Sequence, residues 1–79
     1  MKKIKMFGAP WCAPCSQVKE ALKLLNAEYE YVNVDDDPML ARDNGIRSIP
    51  TLIVYEDGVE LKRISGGQPK EKIADFLFV

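Results

Sequence analysis

Lys3-Ile4-Lys5-Met6-Phe7-Gly8-Ala9-Pro10-Trp11-Cys12-Ala13-Pro14-Cys15 is the stretch from which the rest of the chain is read. Residues Lys3 to Phe7 alternate and stop at Gly8-Ala9-Pro10, which predicts a strand followed by a turn. Pro14 suits a first helical turn, where its missing N–H costs nothing. Val18, Ala21, Leu22 and Leu25 then recur at three- and four-residue spacing, so an amphipathic helix is expected from about Ala13 to Asn26. Both cysteines fall where a strand hands over to a helix.

Outward from that point, Tyr29 to Val34 is rich in aromatic and β-branched residues and predicts a second strand. Asp37-Pro38 opens a short capped helix that ends at Gly45. Thr51 to Tyr55 is a third run of strand formers, Glu56-Asp57-Gly58 signals a hairpin, and Val59 to Ile64 returns as its partner. After Gly66-Gly67, Pro69 opens a last helix with Ile73, Phe76 and Leu77 on one apolar face. The expected architecture is α/β in the order β-α-β-α-β-β-α, a four-stranded mixed sheet flanked by helices. The first two strands pair in parallel through a right-handed crossover, and the hairpin supplies an antiparallel pair.

A chain of 79 residues has room for one core, so a single domain over residues 1–79 is expected, with its function at the surface. Apolar residues at 47% and charged residues at 29% match an ordinary globular chain. With 11 basic and 12 acidic residues the net charge is -1, which gives no electrostatic reason to expect nucleic acid or an anionic membrane as partner. Met1-Lys2-Lys3-Ile4-Lys5 starts like an export signal, but Lys5, Gly8 and Pro10 break the apolar run that would have to follow. Two cysteines separated by two residues cannot brace distant parts of a fold, so a cytoplasmic location is expected, and a monomer.

The cysteine spacing carries chemistry. Only a thiolate attacks a disulfide, and a cysteine just before a helix faces unpaired N–H groups and the positive end of the helix dipole. Cys12 has that place and is expected to be an exposed attacker. Cys15 lies one turn on, able to close a disulfide with Cys12 and better shielded, which suits a resolving thiol.

Trp11-Cys12-Ala13-Pro14-Cys15 resembles the active-site motif of the thioredoxin and glutaredoxin family, with Ala13 where glycine is usual. Gly45-Ile46-Arg47-Ser48-Ile49-Pro50-Thr51 resembles the same family's cis-proline segment. The likeness covers nearly all of the chain, without the N-terminal strand and helix of full-length thioredoxins, and in that brevity it is similar to glutaredoxin. The resemblance implies a thioredoxin-like fold and reduction of protein disulfides through a reversible Cys12–Cys15 disulfide. It also implies a cis bond before Pro50, and backbone groups of Ile49 offered to an extended substrate. Trp11, Ile49 and Gly66 would form the apolar rim that receives substrate, supported by Ala13, Pro14 and Thr51. No bound cofactor is implied. Reducing equivalents would come from a thioredoxin reductase and NADPH, with glutathione as the other donor, and the partners would be that reductase and oxidised proteins.

Departures from the pattern accompany the likeness. Met6 stands where thioredoxins usually carry a buried aspartate proposed to handle the proton of the resolving thiol, and Tyr31 matches the lysine commonly paired with it. Gly66-Gly67 resembles glutaredoxin's glutathione site, but Gln68-Pro69-Lys70 replaces the acidic residues expected next. Other readings stand beside the enzyme. A zinc site needs four ligands, and the chain has no histidine and no second cysteine pair. A metal cluster bridging two subunits, two inert buried cysteines, and a redox-inert binding module of the same fold remain as alternatives. Asp35-Asp36-Asp37 is read as helix capping, and Tyr31 as an ordinary strand residue.

Overall fold

The computed structural model describes residues 1–78; Val79, the end of the expected domain, lies outside the described residues. The elements run β1 (Lys2–Gly8), α1 (Ala13–Leu24), β2 (Glu30–Asn33), α2 (Pro38–Asp43), β3 (Thr51–Glu56), β4 (Val59–Ser65) and α3 (Lys70–Phe78). They form one sheet in the order β2-β1-β3-β4. β1 pairs in parallel with β2 and antiparallel with β3, and β3 pairs antiparallel with β4, so the sheet is mixed as expected.

The strand period of two sends neighbouring side chains to opposite faces of this sheet. Met6 and Leu52 join Val18, Leu22 and Ile73 in one core cluster, under α1 and α3. Phe7 and Ile53, one residue on in each strand, join Val32 in a second cluster with Leu40 and Ile46 around α2. β1 and β3 therefore have apolar residues facing both ways, and Met6, Phe7 and Ile53 are completely buried.

The ends of the elements follow from local chemistry. α1 stops two residues before Asn26, because Asn26 adopts φ 58° in the left-handed region. The Ala27 amide then reaches back to the Leu22 carbonyl, a helix-terminating bond. Gly45, at φ 66°, ends α2 in the same way, its neighbour Ile46 donating to the Ala41 carbonyl. Asp57 at φ 52° and Gly58 at φ 85° make the β3–β4 turn of the primed type that matches strand twist. The pairing slips by one residue at Val54 and Tyr55, a bulge that nothing in the sequence announced. Among the described residues, no helix is long and apolar enough to cross a membrane.

Candidate active site

The site lies where β1 ends and α1 begins. Gly8 and Ala9 close the strand, and the Cys12 amide donates to the Ala9 carbonyl at 3.2 Å, which turns the chain into the helix. Cys12 is the N-cap of α1, and its Sγ accepts the Cys15 amide at 3.2 Å. Pro14 follows in the first turn, where no carboxylate competes with the sulfur for the free N–H groups. Cys12 and Cys15 are joined as a disulfide with their Cα atoms 5.2 Å apart, so the structure holds the oxidised form of the pair.

The order of accessibility agrees with the sequence reading, but its degree does not. Cys15 is 1% exposed and Cys12 only 6%, so Cys12 is a buried residue in the disulfide form rather than an exposed one. Its side chain folds back over the first helical turn to cap it, which withdraws the sulfur from solvent.

A second loop meets the cysteines from β3 and β4. The Ile49–Pro50 peptide bond is cis, in agreement with the resemblance. Pro50 is fully buried, and Ile49 is half-buried and packs against the cluster that contains both cysteines. The segment is tied from two sides. Thr51 Oγ1 donates to the Ser48 carbonyl at 2.7 Å and lies 3.1 Å from Ser65 Oγ, and the Gly66 amide donates to the Pro50 carbonyl at 2.8 Å. Among the described residues, no loop, turn or cap hydrogen bond engages the Ile49 backbone. Gly66 takes φ 91°, and Gly67 lies flat on the active-site turn: a Cβ there would come within 3.0 Å of Pro14 Cβ. Trp11, Ala13 and Pro14 are exposed beside this junction.

Trp11 is 70% exposed, yet its indole N–H donates to Asp35 Oδ2 at 2.6 Å. Only Asp37 of the acidic triplet caps α2, accepting from the Leu40 amide at 3.1 Å, so the capping reading holds for one residue and misses Asp35. Lone sequence reasoning also missed Gly8, where a Cβ would lie 3.0 Å from Cys15 Sγ and 3.3 Å from Tyr31 Cε1. A glycine before a Cys-X-X-Cys turn was the available signal, but nothing indicated which side chain needed the space. Among the described residues, no group of three or more His, Cys, Asp or Glu side chains is placed to hold a metal ion.

The thioredoxin family model matches residues 3–78. A thioredoxin of Staphylococcus aureus is 40% identical over 77 residues, covering 90% of this chain and 74% of the relative. One from Pyropia yezoensis is 39% identical, covering 90% of this chain and 72% of that protein. Among solved structures, a variant thioredoxin from Halobacterium salinarum matches with a TM-score of 0.86 at 28% identity, over 96% of this chain and 71% of that one. The Drosophila melanogaster germline-specific thioredoxin Deadhead matches with a TM-score of 0.87 at 23% identity, over 96% of this chain and 77% of that one, a likeness of fold.

Proposed function

Since the chain belongs to the thioredoxin family and is a protein thiol-disulfide oxidoreductase, we propose that Cys12 is its attacking thiol and Cys15 its resolving thiol. The observation that carries this division is the capping bond: Cys12 Sγ accepts a helix N-terminal amide, whereas Cys15 is the more deeply buried of the two. A hydrogen bond and a helix dipole directed at a sulfur both favour its anionic form.

In the reduced protein, the Cys12 thiolate attacks one sulfur of a substrate disulfide, and the other substrate sulfur leaves and takes a proton. Cys15 gives up its proton and attacks Cys12 Sγ, which releases the second substrate thiol. The substrate gains two electrons and two protons, and the Cys12–Cys15 disulfide seen here is the product. Trp11, Ile49, Pro50 and Gly66 form the docking rim, with Ala13, Pro14 and Thr51 in support. The unengaged Ile49 backbone is suited to pair with an extended substrate segment. The protein works as one domain and a monomer in the cytoplasm, recharged by a thioredoxin reductase that draws on NADPH.

The roles are tested with single-serine variants and an oxidised protein substrate, separated without reductant. Cys15→Ser is expected to accumulate a mixed disulfide, because serine cannot displace a disulfide sulfur, and Cys12→Ser is expected to trap little. The reverse pattern refutes the assignment. Turnover with glutathione and its reductase, but with none of several thioredoxin reductases, refutes the donor.

A further inference from the structure

Resolution of the mixed disulfide requires Cys15 to lose a proton inside the core. Met6, completely buried in the same cluster, has no proton to take or give. One polar atom is left over in this region: the Tyr31 hydroxyl is buried, and no group among the described residues hydrogen-bonds it. Leaving such a group unpaired costs about 1–3 kcal/mol, so a state of the protein that supplies a partner is stabilised by it.

Three placements bring the Tyr31 ring close to Cys15. Tyr31 pairs with Met6 across β1 and β2 and packs against the cluster containing Cys15. The point above Gly8 that is 3.0 Å from Cys15 Sγ is 3.3 Å from Tyr31 Cε1, the ring carbon next to the one bearing the hydroxyl. Lys19, one helical turn after Cys15, holds its ammonium 3.5 Å from the centre of the Tyr31 ring, which fixes the ring under α1. In the oxidised form the Cys15 sulfur is committed to Cys12. Opening the disulfide frees it to turn toward the phenol.

We infer that Tyr31 is a catalytic hydrogen-bond donor to Cys15: its hydroxyl holds the Cys15 thiolate while that sulfur attacks Cys12 Sγ in the mixed disulfide. The proposal rests on the division of roles given above. The phenol keeps its own proton throughout, and the proton lost by Cys15 ends on the departing substrate thiol. Burial raises the Tyr31 pKa, and Tyr29, Asp35 and Asp36 raise it further, so the phenol stays a donor at working pH. The charged and titratable groups around it are those three, together with Lys19 from α1, while Met6 and Gly8 of β1 beside it carry no charge.

Tyr31→Phe keeps the ring and its contact with Lys19 and removes only the hydroxyl. In a Cys12→Ser background, thiolate absorbance is read against pH for Cys15 alone. The Phe variant is expected to titrate at higher pH, with about tenfold less thiolate at neutral pH, the low end for a hydrogen bond to a charged atom. In the intact dithiol, single-turnover kinetics should show substrate capture unchanged and release about tenfold slower. The oxidised Phe variant should be at least as stable as the parent, which separates this role from a structural one. An unshifted Cys15 titration overturns the proposal. Slowed capture with normal release keeps the hydrogen bond but refutes Cys12 as the attacker, so the two readings fail separately.

Discussion

Gly8 shows how closely one position is bound to the chemistry. An added methyl would press on Cys15 Sγ at 3.0 Å and on the Tyr31 ring at 3.3 Å, and both lie in a packed core. Overpacking of this kind costs about 1–3 kcal/mol. The cost differs between redox states, because a reduced Cys15 can rotate away while a disulfide sulfur cannot. Gly8→Ala is therefore expected to favour the dithiol and to raise the reduction potential by about 30 mV for each ~1.4 kcal/mol of extra strain in the oxidised form. Equilibration against a glutathione buffer measures this, and a potential equal to the parent's would show that the sulfur is free to give way in both states. Trp11 offers a second reading at this scale. Asp35 restrains the only tryptophan of the chain, so Asp35→Ala should lower its fluorescence anisotropy and slow substrate capture, leaving the release step unchanged. Unaltered anisotropy would mean that the indole is held by packing alone.

Among the elements, the connection between α2 and β4 positions the proline segment from behind. The Arg63 guanidinium donates to the Asn44 carbonyl at 2.8 Å and the Gly45 carbonyl at 3.3 Å, and it is steadied by Glu60 at 2.7 Å. These are the free carbonyls just past the end of α2, where a cation is favourable. Arg63→Met should cost about 1 kcal/mol in urea unfolding and speed hydrogen exchange at Gly45 to Ser48. Exchange accelerated everywhere equally would show global loss of stability without a local anchor. Much of this level was legible in the sequence, because it depends on short-range chemistry: the Asp57-Gly58 turn, the Gly45 stop, the Cys12 helix start. The sequence reading ran α1 too far, since Leu25 continues the apolar period even though Asn26 leaves the helix. What stayed hidden depends on approach through space. Asp35 and Trp11 are 24 residues apart, and Tyr31 reads as an ordinary strand residue until Lys19, Gly8 and Cys15 are seen around it. The burial of Cys12 was equally invisible, because it comes from the sulfur folding back over its own helix.

For the whole molecule, the titrating groups set a plateau of stability with two defined edges. The chain has no histidine, and in the oxidised form neither cysteine titrates, so no side chain has its ordinary pKa between pH 5 and 8. The acid edge belongs in part to Glu60, whose hydrogen bond with Arg63 lowers its pKa in the folded state. A lowered folded value means that the contribution is present above the unfolded value of ~4.3 and disappears as pH falls through the folded one. Glu60 and Arg63 are partly exposed, so the effect is small and weakens with salt. The alkaline edge comes from Tyr31 and Tyr55, both raised chiefly by burial. Their contribution is complete below the unfolded value of ~10 and is lost as pH rises through the folded values. Urea midpoints of the oxidised protein should therefore be flat from about pH 6 to 8, fall at both ends, and fall less steeply above pH ~10 in Tyr31→Phe. Glu60→Gln should lower the midpoint at pH 7 and match the parent near pH 2, where both side chains are neutral. A Glu60→Gln deficit that persisted at pH 2 would assign the effect to packing rather than charge, and an unchanged alkaline limb in Tyr31→Phe would place that edge on Tyr55 alone.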